Sequence, residues 1–593
     1  MTTARRFGIA LATLVVLALA ARLAIFAEYA ARNPNYLLPT NDGLYYWQLA
    51  ERGFEADKPY LTAPLYPMLL GPLRSLGGGL RAAYLIQLVL HATTGIIIGS
   101  TAFRRRGFAV GLVSTGLFFC LFDPAFYCFR VSPATLQVLL VSLLWAATVG
   151  SDERQNLIGP AAGGLAIGLL SMAYAPALLL VPALGFWLLI VGGRKPALLL
   201  VILATATIAP VTLRNYMACG EPIAISAHSG ITFRQGNGDG GKGIYLAVPG
   251  VRRSKTLMAE DAAAVHRKAT GREGSWREVD RHFWRQGLAW WADNPADALI
   301  LAGRKAYWFL TGRYYHDIYH PAAEKKAGLS TWTILTPMPI AWITFPALLV
   351  WCRKLGTARK SAPEILLLAV PFLTVLIFWY SPRYRLPATP VLVVLAAEAG
   401  ALLYQWRKHR LWALLALLSV VASVALPVVN ARTGLDAPER DLATGFFNMA
   451  VSQEKLGDEN AARRSWLKAV AADPKHVKSH LCLGLAFTQL KSLDQAEYHY
   501  RYAAKIEPGS AENRHLLALV LNAQRRTAEA IGEWRTALSL NPRLVDARLH
   551  LSRALVREQQ TDEAISVIRD GVMLDPSDRR LVDVLGHLSS RDK

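Results

Sequence analysis

The sequence predicts an all-α protein in two parts: a polytopic α-helical membrane domain of about eleven spans over residues 1–430, then an α-solenoid over residues 442–593. Three observations predict it. The chain of 593 residues is 53% hydrophobic and only 18% charged, where a soluble chain carries about a quarter charged residues. Its apolar residues fall in long runs that stop near residue 430. Beyond that point the chain is polar and repeats with a period of 34.

A membrane-crossing helix needs about twenty mostly apolar residues. Such segments lie near 7–27, 83–102, 108–122, 134–150, 159–174, 177–191, 197–213, 332–351, 364–380, 388–405 and 411–429. The run 159–191 divides near Ala175-Pro176, and Gly163, Gly164 and Gly168 allow close helix packing there. Arg5-Arg6, Arg104-Arg105-Arg106, Arg194-Lys195, Arg353-Lys354 with Arg359-Lys360, and Arg407-Lys408-Arg410 all fall on one side if the count is eleven. The positive-inside bias makes that side cytoplasmic. The loops 28–82 and 214–331, and everything after 430, are then outside, in a bacterium the periplasm. The first segment has a second reading as a signal peptide ending at Ala24-Ile25-Phe26-Ala27; the sidedness of the rest is unchanged.

The net charge of +22 is unevenly placed. From Arg440 to Lys593 there are 23 basic and 20 acidic residues, so nearly all the excess sits in short clusters between the apolar runs. That distribution argues for a membrane protein and against nucleic acid as a partner. Five Cys (Cys120, Cys128, Cys219, Cys352, Cys482) exclude a disulfide-built scaffold, and none forms a CxxC or Cys/His cluster. No cofactor is called for, and a divalent metal is left open.

After a polar linker at Asn430-Ala431-Arg432-Thr433-Gly434 (431–441 in all), Asp473-Pro474, Glu507-Pro508, Asn541-Pro542 and Asp575-Pro576 recur 34 residues apart. In that register Ala462, Ala496, Ala530 and Ala564 align. So do Ala469, Ala503, Ala537 and Gly571, and Ala450, Gly484, Ala518 and Ser552. Small residues at fixed positions let two antiparallel helices approach, and the proline ends the second. The pattern resembles tetratricopeptide repeats over about 442–577, with a short terminal helix at about 580–590. The resemblance implies a groove for a peptide or protein partner; the alternative is a repeat domain that only stabilises or oligomerises the chain.

Transport is one reading of the membrane half. Its apolar runs hold few ionisable candidates: Arg22, His91 and Glu398, with Gln87 as a polar neighbour, and no repeat between halves. The informative residues sit at the outer interface. Asp42 lies in Thr40-Asn41-Asp42-Gly43-Leu44-Tyr45-Tyr46-Trp47, and the chain returns to the membrane through Ala63-Pro64-Leu65-Tyr66-Pro67. Tyr380-Ser381-Pro382-Arg383-Tyr384-Arg385-Leu386-Pro387 forms a short outer loop whose two arginines defy the positive-inside bias. Arginine at that depth suits a lipid phosphate.

These motifs resemble the GT-C glycosyltransferases, nearest the dolichyl-phosphate-mannose–protein mannosyltransferases (glycosyltransferase family 39-like) and their bacterial relatives. Some bacterial members and a set of animal mannosyltransferases similarly join such a half to tetratricopeptide repeats. The resemblance implies transfer of a sugar from a polyprenyl-phosphate donor to a protein or glycan acceptor outside the membrane. It implies Asp42 as the general base that deprotonates the acceptor hydroxyl. Arg383 and Arg385 then suit the charge of the departing lipid phosphate. The plainer readings are a helix N-cap for Asp42 and lipid head-group anchoring for the arginines.

Relatives often carry an acidic residue near the entrance to the fourth span, where this chain has Ala134-Thr135-Leu136. Asp123, before Pro124, is the substitute, with a turn residue as its alternative. The loop after the seventh span carries Arg214-Asn215-Tyr216 and then 226–238, similar to a Gly-Asn stretch in bacterial relatives with repeats. His228 and Asn237 there are candidates for the acceptor side, with a turn as the default at Asn237-Gly238. Gly236 to Gly243 matches GxxxxGK but continues with Gly instead of Ser or Thr, so a P-loop is rejected. The absence of a DxD pair favours a lipid-linked donor. Trp284, Trp290, Trp291, Trp308, Tyr314 and Tyr315 read as an interfacial aromatic belt, with sugar stacking as the alternative.

The reading adopted is an inner-membrane GT-C glycosyltransferase with periplasmic repeats that recruit the acceptor or a partner. The alternatives are a membrane-anchored repeat scaffold for envelope assembly and a lipid-linked oligosaccharide ligase.

Overall fold

The computed structural model describes residues 2–36, 38–39, 42–149, 157–252, 255, 257–312, 321–327, 340–355, 358–405, 407–408, 410–433 and 438–589. Their regular elements are helices. The chain divides into two units, Met1–Tyr319 with Ala327–Asp436, and His320–Lys326 with Ala437–Lys593. The expected break at 430–434 shifts: a helix runs from Arg410 to Thr433 and the next opens at Pro438. A short helix of the outer segment, Pro321–Lys326, belongs to the second unit.

The first unit opens with α1 (Thr3–Arg32), α2 (Asp42–Arg52), α3 (Leu65–Ser75), α4 (Leu80–Arg106), α5 (Phe108–Cys120), α6 (Phe122–Tyr127) and α7 (Ala134–Val149). It continues with α8 (Ile158–Ala173), α9 (Leu180–Val191), α10 (Arg194–Cys219), α11 (Ser229–Gly236), α12 (Met258–Thr270), α13 (Trp276–Asp293) and α14 (Pro295–Thr311). Helices at Ala341–Leu355, Ala358–Ile377, Pro382–Arg385, Thr389–Tyr404 and Arg410–Thr433 complete it. Each expected apolar segment is helical over most of its described length. Among the described residues four helices are long and apolar enough to cross a membrane: Thr3–Arg32, Leu80–Arg106, Arg194–Cys219 and Pro382–Tyr404. The apolar stretches Phe108–Cys120, Ala134–Thr148, Ile158–Ala173, Ala175–Val191, Ser361–Ile377 and Arg410–Ser423 are shorter, at 10–17 residues, so length and composition among the described residues support four crossings.

The run 159–191 breaks where expected. α8 ends at Ala173, Tyr174 is extended, and a 3-10 turn at Ala175–Leu179 leads into α9. Gly164 and Gly168 lie against α10, where a Cβ would collide with the Leu200 carbonyl and Thr207.

The polar residues of the apolar runs are engaged inside the fold. Arg22 donates to the Phe119 carbonyl. Gln87 donates to the carbonyls of Cys128 and Arg130 at 3.2 and 3.0 Å. His91 packs on the rings of Phe118 and Phe119. Glu398 belongs to a four-charge network: Arg106 and Lys354 each reach both Glu364 and Glu398, at 2.7 to 3.2 Å. Thus the basic ends of α4 and Ala341–Leu355 meet at Glu364 and Glu398.

In the second unit four helix pairs follow the 34-residue period: 438–455 with 459–472, 477–489 with 493–506, 511–523 with 527–540, and 545–557 with 561–574. Arg579–Ser589 closes the array. The aligned alanines are buried, and a Cβ at Gly484 would run into the Tyr500 ring. One periodic feature carries no small-residue signal. The turn inside each pair is left-handed at Gly457, Lys491, Arg525 and Gln559, with φ of 81°, 59°, 64° and 61°, and only the first uses glycine.

A polar pair also recurs between the two helices of a repeat. Arg514 pairs with Glu533 at 3.0 Å, and Arg548 donates to the Val567 carbonyl. In the second repeat the same positions hold His480 and His499, Nδ1 to Nδ1 at 3.0 Å, while His480 Nε2 meets the Pro474 carbonyl. A carbonyl only accepts, so His480 carries its proton on Nε2 and His499 donates to its Nδ1. Protonating His480 would set two donors face to face. Burial, then His480, pushes His499 down to about 4. A lowered histidine gives stability present above the unfolded value near 6.5 and lost as pH falls toward the folded value. The second repeat should lose roughly 1–3 kcal/mol between about pH 6.5 and 4. Hydrogen exchange of residues 477–506 in the full chain measures this, and the His480→Arg/His499→Glu variant, copying the third repeat, should remove the drop.

Candidate functional site

Asp42 is the first residue of α2, where the helix dipole favours a carboxylate. Its Oδ2 accepts from Arg383 Nη1 at 2.7 Å, across 341 residues of sequence. Two residues on, Arg385 Nη2 meets Asp123 Oδ2 at 3.3 Å, and its Nη1 donates to the Phe309 carbonyl at 3.4 Å. Both members of that second pair are buried. Asp123 lies in the first turn of α6, and the arginines in the helix Pro382–Arg385 just before Thr389–Tyr404. The two carboxylates and two arginines singled out in the sequence therefore pair with each other, Asp42 with Arg383 and Asp123 with Arg385. Burial opposes ionisation of Asp42, but Lys255 and Arg383 outweigh it and hold the carboxyl below its usual range.

Three stitches bring the loop after α10 to this place. Arg214 donates to the carbonyls of Glu55 and Lys58 and lies over the Tyr60 ring. Asn215 Oδ1 accepts from the Tyr60 amide at 2.9 Å, and the Ala227 amide donates to the Tyr60 carbonyl at 2.9 Å. His228 follows directly and lies within the electrostatic reach of Asp42. Burial, then Lys255, pushes its imidazole down to about 3, so it is neutral at physiological pH. Its Nδ1 is buried without a hydrogen-bond partner.

Asn237 is a fully bonded node. Its Nδ2 donates to the carbonyls of Phe233 and Ile377 at 2.7 and 2.8 Å, and its Oδ1 accepts from Trp291 Nε1 and Lys305 Nζ. An amide has two donors and two lone pairs, so these bonds use all four, and Asn237 holds the frame instead of facing a ligand. Lys305 also donates to the carbonyls of Leu376 and Phe378 at 3.2 and 2.6 Å, and burial pushes its ammonium down to about 7. The glycines of the rejected P-loop have their reason here. A Cβ at Gly236 would run into the Phe378 carbonyl, and the Gly243 carbonyl accepts from the Tyr380 amide at 2.8 Å. This loop, Asn237 and Lys305 together fix the segment 376–380 that leads to Arg383.

The tryptophans expected as an interfacial aromatic belt also make contacts within the fold. Trp284 stacks on Phe233 and donates to Ser229, Trp290 donates to Asp239, Trp291 to Asn237, and Trp308 is buried against Tyr380. The N–H groups of Trp284, Trp290 and Trp291 thus tie half-exposed rings to Ser229 and the turn at 237–239. Tyr314 and Tyr315 lie outside the described residues. Sequence reasoning missed Lys255 and Lys305, since lysines in an outer, mixed-polarity segment read as solvated. Among the described residues no group of three or more His, Cys, Asp or Glu is placed to hold a metal ion.

Beside His228 lies a cavity of about 230 Å³, walled by α11, α12 and α13 and the residue Leu61. α13 is held there by Glu221, which accepts from Ser275, Trp276 and Arg277 at its N-terminus, and by Asp280, which accepts from Ser229 and Gly230 of α11.

Tetratricopeptide-repeat family models match residues 447–511 and 521–588. No curated protein matches the chain. Among solved structures, a crystal structure of MamA protein is 22% identical over 25% of this chain and 81% of its own, with a TM-score of 0.24. MamA 41-end from Desulfovibrio magneticus RS-1 is 17% identical over 31% of this chain and 96% of its own, with a TM-score of 0.22. YrrB, described as a TPR protein with an unusual peptide-binding site, is 19% identical over 25% of this chain and 77% of its own, with a TM-score of 0.23. The C-terminal part of this chain carries tetratricopeptide repeats.

Proposed function

We propose that the first unit is a membrane-embedded GT-C type glycosyltransferase with about eleven spans and its site on the periplasmic face. It moves a sugar from a polyprenyl-phosphate donor to a protein or glycan acceptor, and the repeats recruit that acceptor or a partner protein. The supporting observation is the convergence of Asp42 with Arg383 and of Asp123 with Arg385 from three distant segments. An anchor for ordinary lipid head groups would not need two carboxylates brought to the same loop. The scaffold reading keeps one support of its own, the match to repeat families whose surfaces present grooves.

In the proposed reaction the acceptor oxygen attacks the anomeric carbon as its proton passes to Asp42. The bond from that carbon to the phosphate oxygen breaks, and the electron pair stays on the phosphate. Arg383 stabilises the charge that collects there. Arg383 also pairs with Asp42, so a donor phosphate that draws on Arg383 removes part of the counter-charge and strengthens the base. Arg385 is already neutralised by Asp123 in a buried pair and positions the loop.

Arg383→Gln should therefore act twice. Losing a charge-assisted hydrogen bond should raise the KM for donor about 10–100-fold. Losing a cation should let the Asp42 carboxyl rise, so the acid limb of kcat/KM moves to higher pH. An unmoved limb would contradict the coupling. Donor size tests the ligase alternative: the proposal expects turnover of a monosaccharide carrier and none of a long glycan on pyrophosphate.

A further inference from the structure

We infer that the cavity beside His228 is a specificity pocket for one aliphatic or aromatic side chain of the acceptor polypeptide, next to the hydroxyl residue that takes the sugar. The inference rests on the transferase reading and narrows its acceptor to a polypeptide. Leu61, Ile231, Met258, Ala262, Trp276 and Phe283 make the wall mostly apolar. The volume of about 230 Å³ suits a side chain: an apolar cavity of about 150 Å³ takes up benzene, and pockets for larger ligands start at about 300 Å³. A sugar does not fit this chemistry. Asp280 on the wall already accepts from Ser229 Oγ and the Gly230 amide. Sugar hydroxyls would lose water and find few partners.

The donor's prenyl chain belongs with the apolar helices. The cavity is built instead from α11–α13 of the outer loop, none of which is an apolar helix of spanning type. On its wall stands His228, whose Nδ1 is buried without a hydrogen-bond partner. His228 is also the wall residue within the electrostatic reach of Asp42. A side chain seated here places its own chain beside the base.

The Met258 methyl group is a reporter that does not depend on sugar transfer. Full-length protein with ¹³C-methyl methionine, its signal assigned with Met258→Leu, is titrated with N-acetyl-phenylalaninamide and N-acetyl-leucinamide. Both should shift the Met258 signal saturably, while N-acetyl-serinamide and mannose should not. Burial of such a side chain is worth about ten- to a hundredfold in affinity, so Ala262→Trp, which fills the cavity, should weaken the shift by at least about tenfold. Ala263→Leu, at a partly exposed wall position, gives the same test if Ala262→Trp does not fold. No saturable shift, or an equal shift with serinamide or mannose, overturns the pocket. A clear shift in a protein that discharges no donor would sink the transferase reading alone.

Discussion

Asp42→Asn is expected to slow sugar transfer by about 10²–10⁴-fold, the usual contribution of a positioned general base. Asn keeps the size of the side chain and an oxygen for Arg383, so donor binding should change far less than turnover. The change also leaves Arg383 and Lys255 without the carboxylate they share. Some slowing from misplaced cations is therefore a rival account, and a double variant separates the two. If Asp42 only balances charge, Asp42→Asn/Lys255→Gln restores the balance and recovers activity. If Asp42 takes the proton, the double variant stays at least as slow as the single one. Kinetics on protein in lipid bilayers, with thermal unfolding as a folding control, reads both outcomes.

Asp123→Leu is expected to lower the stability of the first unit by about 3–5 kcal/mol, since it leaves the Arg385 guanidinium buried without its carboxylate. Both partners are nearly inaccessible, at 1% and 3% of their side-chain surface. The remaining Phe309 carbonyl, at 3.4 Å from Arg385, is a weak substitute. Removing both charges in Asp123→Leu/Arg385→Leu should recover most of the loss, because paired buried charges are often replaceable by apolar groups. Chemical unfolding in detergent monitored by tryptophan fluorescence measures the pair of variants. The contrast with Asp42 is the informative part: one carboxylate should show in turnover and the other in stability. Equal effects at both positions would show that the two pairs do not divide the work in this way.

Much of the fold was legible because its signals are local. The apolar runs stand out by composition, and the repeats by small residues and prolines at a fixed period. The loop of Arg383 and Arg385 was legible as an exception to a charge bias, Asp42 through its motif and the family resemblance, and Asp123 as a substitute for a carboxylate that relatives carry. The pairing of Arg383 with Asp42, instead of with Asp123, was not. What stayed hidden depends on partners far away in sequence. Gly236 is a glycine because the Phe378 backbone passes against it, about 140 residues later. Glu398 looked like an ionisable group in the membrane interior until Arg106, 292 residues earlier, supplied its partner. Lys305 carried no signal in the sequence, and its burial is explained by Asn237 and the carbonyls of 376 and 378. The tryptophans were read by residue type as a belt, and the partners of three of their N–H groups, Ser229, Asp239 and Asn237, were not legible.

The most direct test follows labelled sugar from polyprenyl phosphate in membranes that also supply the native acceptors, with wild-type protein or Asp42→Asn added. The account predicts that label leaves the lipid and appears on an acceptor with the wild type, and stays on the lipid with Asp42→Asn. Equal transfer by both proteins would contradict Asp42 as the base, and label remaining on every lipid carrier with the wild type would contradict the transferase.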